Sequence, residues 1–248
     1  MSFKNKTVMI TGGASGMGFL SGQCFAKEGA NVALVDIDEK NLASKCEEIL
    51  SEGGKAIYIA TDVRDYQQVV RARDRAVEEF GSIDILINSA GGNECRVLNH
   101  YEDFVDMPID VYDWGLDVNL KGPFYFSHTV MKQMVKQKSG VIINIGSVTG
   151  EEGSSSGVAY ATAKSGVMYG LTKSLAIYGS RHNVRVCCVT PGPVLTREAM
   201  AKMKTLIGRA AAPKEVVDFI MYLASDKAAF ITGTNHVIDG GRLIMPRS

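Results

Sequence analysis

Short apolar runs alternate with longer amphipathic stretches along most of the chain. The apolar runs predict strands at residues 6–12, 31–36, 55–60, 83–87, 141–146, 184–189 and 234–239. The stretches with helical spacing predict helices at 19–28, 39–50, 65–80, 111–137, 158–179 and 213–224. This alternation is typical of a parallel sheet with helices on both faces. No repeat or linker interrupts it, so the sequence predicts one α/β domain over residues 1–248.

A glycine-rich turn joins the first strand to the first helix. It runs Thr11-Gly-Gly-Ala-Ser-Gly-Met-Gly18 and has the strand–turn–helix context that a dinucleotide fingerprint requires. Glycines let the backbone approach a pyrophosphate, and the helix N-terminus supplies free N–H groups and a positive dipole end. The turn therefore predicts cofactor contacts, which are assigned to Gly12, Ser15, Gly16, Met17 and Gly18.

The second strand ends in an acid, Asp36, 18 residues after Gly18. That distance is near the one expected for a carboxylate that binds a ribose 2′-hydroxyl. The alternative is a loop acid or a cap for the following helix. A carboxylate repels a 2′-phosphate. Neither Ser15 in the glycine-rich turn nor Ile37, the residue after Asp36, offers a cation to bind such a phosphate. The sequence therefore favours NAD(H) over NADP(H), with Asp36 and Ile37 at the adenosine end.

Turns after later strands supply further cofactor candidates. They are Asp62, Val63, Asn88, Ala90, Gly91, Pro191 and Gly192. Asp62 either hydrogen-bonds an adenine amino group or caps the next helix. Small residues at 88–91 allow a flat cofactor to lie close to the backbone, or they form an ordinary turn. Residues 191–192 force a sharp turn at the end of a strand.

Two segments are candidates for the walls of a substrate pocket. Residues 92–109 form a long loop without predicted structure, and such loops are often functional. Its candidates for substrate contact are Asn93, Glu94, Cys95 and His100, and the alternative for each is a surface position. Residues 197–207 predict a short mobile lid that carries Met200 and Met203.

The chemistry-bearing pattern lies between Ser147 and Lys164. Tyr160 and Lys164 are four residues apart on a predicted helix, so they share a face about one turn apart. The lysine cation favours the phenolate, which makes the tyrosine a better proton carrier. Ser147 follows the fifth strand, at the edge where open α/β sheets bind ligands. Asn119 lies among apolar neighbours and needs partners, so it is either structural or part of a polar site.

Composition excludes several other classes. Lys and Arg number 27 and Asp and Glu number 27, which argues against nucleic-acid binding. No apolar run approaches the roughly 18 residues of a membrane span, and the N-terminus has no signal-peptide pattern. The five cysteines have no metal-ligand spacing, so we expect reduced thiols, no metal site and a cytoplasmic protein.

With these motifs in order, the whole chain from Thr11 to Gly241 resembles the classical short-chain dehydrogenase/reductase family. The marks are Thr-Gly-x3-Gly-x-Gly at 11–18, Asp62-Val63, Asn-Ser-Ala-Gly at 88–91, Asn119, Ser147, Tyr-x3-Lys at 160–164 and Pro-Gly at 191–192. The resemblance implies a single-domain Rossmann fold, a doubly wound seven-stranded parallel sheet with helices on both faces. It also implies a homotetramer, with a homodimer as the alternative.

The same resemblance assigns roles to residues. Ser147 and Tyr160 would contact the substrate, with Tyr160 as the general acid or base in the interconversion of a secondary alcohol and a ketone. Lys164 would bind the nicotinamide ribose, and Asn119 would hold a water that links Lys164 to solvent. Val194 and Thr196 would hold the carboxamide of the cofactor.

The substrate class stays open at this point. A sugar or polyol, a hydroxysteroid and a 3-oxoacyl carrier-protein thioester are all compatible with the residue types. A non-enzymatic alternative is a dinucleotide-sensing protein on the same fold, because a fold does not dictate a function. The complete set Asn119, Ser147, Tyr160 and Lys164 favours an enzyme.

Overall fold

A computed structural model of the chain describes residues 1–246, which fold around one seven-stranded sheet. The strands are β1 (Thr7–Thr11), β2 (Asn31–Asp36), β3 (Lys55–Ala60), β4 (Ile85–Asn88), β5 (Gly140–Ile145), β6 (Val184–Pro191) and β7 (Asn235–Ile238). All neighbouring pairs are parallel, in the order β3-β2-β1-β4-β5-β6-β7. The predicted fold class, a doubly wound Rossmann sheet, is confirmed.

Helices connect the strands and cover the sheet. They are α1 (Gly16–Lys27), α2 (Glu39–Ser51), α3 (Tyr66–Phe80), α4 (Glu94–Leu98), α5 (Ile109–Leu116), α6 (Gly122–Gln137), α7 (Thr149–Glu152), α8 (Val158–Gly166), α9 (Thr172–Ser180) and α10 (Pro213–Ala224). The helix predicted at 111–137 is divided into α5 and α6 by a π-helical turn, Asp117–Lys121. A second π turn, Val167–Leu171, joins α8 to α9. Such turns are rare and frequently lie at functional sites.

Alternation of side chains along the central strands produces two separate cores. In β1, Val8 and Ile10 belong to the core beneath α1, α2 and α10. Met9 belongs to the core beneath α3 and α6 on the other face. Successive side chains of a strand point to opposite faces, so a strand that is apolar throughout is buried on both. The continuous apolar runs in the sequence are explained by this double covering.

The sheet order reverses direction at β1, which pairs with both β2 and β4. Thr11, the last residue of β1, links the two strand ends because its hydroxyl accepts the backbone N–H groups of Ser89 and Ala90, each at 3.0 Å. Ligands bind at such a reversal in open α/β sheets. The fold therefore places the glycine turn after β1 beside the small residues after β4.

Three local expectations need correction or refinement. The segment 92–109 is not wholly irregular, because it contains α4. Asp38, not Asp36, caps α2 by accepting the N–H of Asn41. Asp65, not Asp62, caps α3. Neither Asp36 nor Asp62, the two acids predicted to bind the cofactor, is therefore the N-cap of the following helix.

Two general features follow from the described residues. None of the helices in residues 1–246 combines the length and apolar character that crossing a bilayer requires. All five cysteines are free thiols, and burial raises the pKa of the Cys188 thiol to about 11. A thiol protonated at neutral pH is a poor nucleophile, so Cys188 serves packing rather than chemistry.

Candidate active site

A cavity of about 870 Å³ lies at the carboxyl ends of the strands, around the reversal of strand order. Most predicted site residues line it. They are Gly12, Ser15, Gly16, Met17, Gly18, Asp36, Ile37, Asp62, Val63, Ala90, Gly91, Asn93, Ser147, Tyr160, Lys164, Pro191, Gly192, Val194 and Thr196. Asn88, Glu94 and Asn119 do not line it. The fold thus brings the residues predicted for cofactor and for catalysis to one cavity.

The glycine turn between β1 and α1 forms one wall of this cavity. Gly12 and Gly16 have φ angles of 71° and 53°, a region that residues with side chains rarely adopt. A Cβ atom on Gly18 would lie 2.1 Å from the carbonyl oxygen of Gly12. Because α1 begins at Gly16, its first N–H groups lack intrahelical partners at this wall. The turn is therefore a backbone cradle suited to an anion such as a pyrophosphate.

Asp36 is held beside this cradle by backbone donors. Its Oδ2 accepts the N–H of Ala14 at 3.1 Å, and its Oδ1 accepts the N–H of Asp38 at 3.2 Å. These bonds orient the carboxylate relative to the glycine turn. Each carboxylate oxygen has further lone pairs, so the group can still accept hydroxyl protons from a ligand.

Asp62 also lines the cavity, but Arg64 occupies its carboxylate. The Nη2 of Arg64 donates to Oδ2 at 2.7 Å, and its Nε donates to both oxygens at 3.0 Å. The Arg64 hydrogen bonds lower the pKa of Asp62. The sequence reasoning missed Arg64, although its position two residues after Asp62 could have suggested the pair.

Ser147, Tyr160 and Lys164 all line the cavity. Lys164 is only 3% exposed, and its Nζ donates to the carbonyl of Ile145, the last residue of β5, at 2.7 Å. The same Nζ lies 5.6 Å from the centroid of the Tyr160 ring. Ser147 follows β5 by two residues, and its hydroxyl accepts the N–H of Thr149 at 3.2 Å. The lysine thus ties the last turn of α8, the helix that carries Tyr160, to the end of β5.

Asn119 lies behind the cavity wall instead of in it. It is fully buried in the π turn after α5, and its amide donates to the carbonyls of Gly92 and Gly115 at 2.9 and 2.8 Å. Its Oδ1 accepts the N–H of Gly92 at 2.9 Å. A Cβ on Gly91 would lie 2.5 Å from Oδ1 of Asn119 and 3.4 Å from Nζ of Lys164. The side chain of Asn119 therefore fixes the backbone that passes over Lys164.

Asn88, which is predicted to bind the cofactor, does not line the cavity, and that contact stays a prediction. Asn88 is buried, and its amide donates to Oδ1 of Asn144 at 2.8 Å and to Oγ of Ser127 at 3.0 Å. Asn144 in turn donates to the hydroxyl of Thr172 at 3.0 Å. Asn88 belongs to a buried polar chain that ties β4, β5 and two helices together beneath the cavity.

Glu94, which is predicted to contact the substrate, does not line the cavity, and its carboxylate has partners within the protein. Glu94 is 0% exposed, and its two carboxylate oxygens accept the backbone N–H groups of Ala159 and Tyr160 at 2.9 and 3.1 Å. A carboxylate at a helix N-terminus satisfies orphan donors and complements the helix dipole. Glu94 therefore positions the start of α8, which carries Tyr160.

Asn93 lines the cavity, but its polar atoms are engaged elsewhere. Its Oδ1 accepts the N–H of Arg96 and caps α4, and its Nδ2 donates to the carbonyl of Ser156 at 3.4 Å. A Cβ on Gly157 would lie 2.0 Å from that Nδ2. The Asn93 side chain thus makes a second connection between α4 and the segment before α8, and its contact with the substrate stays a prediction.

The remaining residues of the two predicted wall segments differ in whether they line the cavity. Met200 and Met203 line it as expected of a lid, and Cys95 lines it as a nearly buried thiol. His100 does not line it and instead pairs with Glu102. Arg96 and Arg197 line it without having been proposed. The sequence feature that could have indicated them is the presence of a basic residue on each predicted wall segment.

This combination of fold and site defines a dinucleotide-dependent oxidoreductase. The family model described as short chain dehydrogenase matches residues 6–206. The chain therefore belongs to the short-chain dehydrogenase/reductase family, as its motifs predicted. It is an enzyme that acts on CH–OH groups with a nicotinamide dinucleotide cofactor.

Proteins similar to this chain have names that refer to different activities. The 3-oxoacyl-acyl-carrier-protein reductase FabG of Thermotoga maritima is 36% identical, and the match covers 98% of this chain and 100% of that protein. The L-rhamnose 1-dehydrogenase (NAD(P)(+)) of a Sphingomonas species is 33% identical, with 97% of each chain covered. The solved structure of an NAD+-bound xylitol dehydrogenase has a TM-score of 0.89 and 25% identity, over 97% of this chain and 100% of that one.

The residues present fit a nicotinamide dinucleotide. A Cβ on Gly18 would collide with the carbonyl oxygen of Gly12, so glycine there lets the first turn of α1 pack closely on the turn after β1 and form the cradle. Asp36 lies beside the cradle with lone pairs available for ribose hydroxyls. Lys164 and Tyr160 line the same cavity beyond β5.

Proposed function

We propose that the protein is an NAD(H)-dependent dehydrogenase that interconverts a secondary alcohol and a ketone, with Tyr160 as general acid and base. The observation that supports this most is the meeting of Ser147, Tyr160 and Lys164 in the cavity that also holds the glycine cradle and Asp36. A bound nicotinamide dinucleotide supplies or accepts the hydride. The residues of the chain bind, orient and exchange the proton.

Tyr160 exchanges a proton with the substrate oxygen. As a ketone is reduced, its oxygen gains negative charge and needs a hydrogen bond and a proton. The Ser147 hydroxyl, fixed two residues beyond β5, donates the hydrogen bond. The Tyr160 hydroxyl donates the proton, and in the oxidation direction its phenolate takes the proton back.

Lys164 assists the proton exchange of Tyr160 electrostatically. Its ammonium lies 5.6 Å from the Tyr160 ring centroid and stabilises negative charge on the phenol oxygen. It also binds the nicotinamide ribose. Asn119 maintains the Gly91–Gly92 backbone over Lys164 and holds the water through which the lysine exchanges protons with solvent.

We expect Asp36→Ala to lower the ratio of kcat/KM for NAD over that for NADP by about tenfold or more. The substitution removes charge-assisted hydrogen bonds, worth about 1.5–3 kcal/mol each, and the repulsion of a 2′-phosphate. Initial rates with both cofactors measure the ratio. Asp36→Asn is the matched variant, because it keeps an acceptor for the N–H of Ala14 but loses the charge. A parent enzyme that prefers NADP would refute the assignment of Asp36.

We also infer a homotetramer, with a homodimer as the alternative. Apolar side chains remain exposed on helices away from the cavity, including Ile177 at 66% and Phe124 at 52%. Exposed apolar patches commonly mark protein interfaces. Light scattering of the purified protein should give a mass of four or two times the 26.8 kDa of one chain. A monomer at micromolar concentration would contradict this inference.

The reaction class is tested by an NAD-linked oxidation screen over sugars, polyols, hydroxysteroids and 3-hydroxyacyl thioesters. The names of the relatives cited above refer to an acyl-carrier-protein thioester, a sugar and a polyol, so the screen covers all of these classes. NADH formation with any of them supports the dehydrogenase. NADH binding without turnover of any alcohol or ketone would favour the dinucleotide-sensing alternative.

A further inference from the structure

Two arginines from separate segments line the cavity together with Ser147 and Tyr160. Arg96 belongs to α4, and Arg197 immediately precedes the 3₁₀ turn Glu198–Lys202. The guanidinium of Arg96 packs over the backbone after β4, because its Nη2 would lie 3.0 Å from a Cβ on Gly92. The two segments are the ones that the sequence predicts as substrate walls.

Within residues 1–246, neither arginine has a carboxylate within 4.0 Å of its guanidinium group. The third cavity arginine, Arg64, pairs with Asp62. The acids that line the cavity are Asp36 and Asp62, both assigned to the adenosine end. Within residues 1–246, the end with Ser147 and Tyr160 therefore carries Arg96 and Arg197, besides Lys164, without a carboxylate partner.

The two cations influence each other. The pKa of Arg96 is lowered first by desolvation and next by the positive charge of Arg197. Both residues are exposed to solvent, which screens the repulsion between them and leaves both guanidinium groups accessible to an anion. Arg197 makes only a weak contact with the sulfur of Met200, at 3.9 Å. An anion placed between the guanidinium groups would relieve this repulsion.

Arg96 is also fixed relative to the reacting group. Its N–H is capped by Asn93, and Glu94, two residues earlier, is bonded to the backbone N–H of Tyr160. A rigid tie of this kind holds the backbone of Arg96 at a constant distance from the helix that carries the phenol. A ligand anion bound by Arg96 would therefore place its own hydroxyl at a defined separation from Tyr160.

We propose that Arg96 and Arg197 bind an anionic group of the substrate, so that the enzyme acts on a secondary alcohol that also carries a carboxylate or a phosphate. This rests on the proposed function of the same site. Guanidinium groups suit both anions, because their planar donors bind two oxygens at once. A neutral sugar, polyol or steroid would leave both cations unpaired.

Matched substrate pairs test the proposal. Each hydroxy acid of three to six carbons is compared with its methyl amide, and each phosphate ester of a polyol with the free polyol. With NAD and the parent enzyme, we expect kcat/KM for at least one anion to exceed that of its neutral partner at least tenfold. The ratio should approach one in the double variant Arg96→Gln/Arg197→Gln, and the better of the two series identifies carboxylate or phosphate.

Lys202→Met is the matched control. Lys202 lies on the same 3₁₀ turn but does not line the cavity, so the ratio should stay within twofold of the parent. The single variants Arg96→Gln and Arg197→Gln, checked by circular dichroism, guard against a double variant that fails to fold. Neutral partners turned over as well as anions by the parent would overturn the proposal.

A binding measurement separates this proposal from the proposed function. Calorimetry of malonate and of inorganic phosphate with the NADH complex should detect binding to the parent and to Tyr160→Phe, and a loss of at least tenfold in affinity in the double variant. Anion binding without oxidation of any alcohol would reject the dehydrogenase and retain the anion site. Alcohol oxidation without anion binding or preference would do the reverse.

Discussion

Tyr160→Phe should lower kcat by at least two orders of magnitude while leaving the affinity for NADH nearly intact. General acid–base catalysis by a positioned side chain contributes about 10²–10⁴-fold, and the variant removes the only atom of Tyr160 that can exchange a proton. The ring stays, so the surface that it presents to the cavity changes little. Steady-state rates in both directions, together with fluorescence titration of NADH, measure the two effects separately.

The fold should tolerate this change. The Tyr160 hydroxyl has no hydrogen-bond partner within residues 1–246, whereas its backbone N–H is bonded to Glu94. Tyr178→Phe is the control, because Tyr178 lies on α9 outside the cavity and is 48% exposed. Its rate should match that of the parent. An unchanged rate in Tyr160→Phe would remove this residue from proton transfer.

Strand positions could be predicted from the sequence because the central strands are buried on both faces. Val8, Met9 and Ile10 are each 0% exposed, so their run is apolar without alternation. The turns after these strands contain glycines with positive φ angles, as at Gly12. Few other residues adopt such angles, so the glycines indicate the turns in the sequence. Periodicity could not show that α5 and α8 continue through π turns, because the apolar pattern is kept across them.

Roles that depend on distant partners could not be predicted. Asn88 looks like a cofactor ligand in a loop, but its partner Asn144 lies 56 residues away on the neighbouring strand. Glu94 looks like a substrate ligand, but its partners are backbone N–H groups 65 and 66 residues further along the chain. The sequence pattern is the same for a polar residue that faces the cavity and for one that faces the protein interior. For Glu94, the packing of α4 against α5 and α8 determines which of the two it faces.

Replacing Glu94 tests this corrected role. We expect Glu94→Ala to lower the free energy of unfolding by about 3 kcal/mol, because two buried N–H groups lose a charge-assisted acceptor and a cavity remains. Glu94→Gln keeps one good acceptor and should lose roughly half as much. Chemical denaturation followed by circular dichroism gives both values. Glu102→Gln, an acid of the same segment exposed to solvent in its pair with His100, should change stability by less than about 1 kcal/mol.

The kinetic result distinguishes a positioning residue from a substrate ligand. If Glu94 holds the first turn of α8, Glu94→Gln should lower kcat about tenfold by loosening Tyr160, with little change in KM for the alcohol, since positional errors of about 1 Å in a reacting group cost up to 10²-fold. A ligand of the substrate would instead raise KM and leave stability unchanged. That opposite pattern would restore Glu94 to the substrate pocket and would also remove the rigid connection between Arg96 and Tyr160, because both depend on the same two hydrogen bonds.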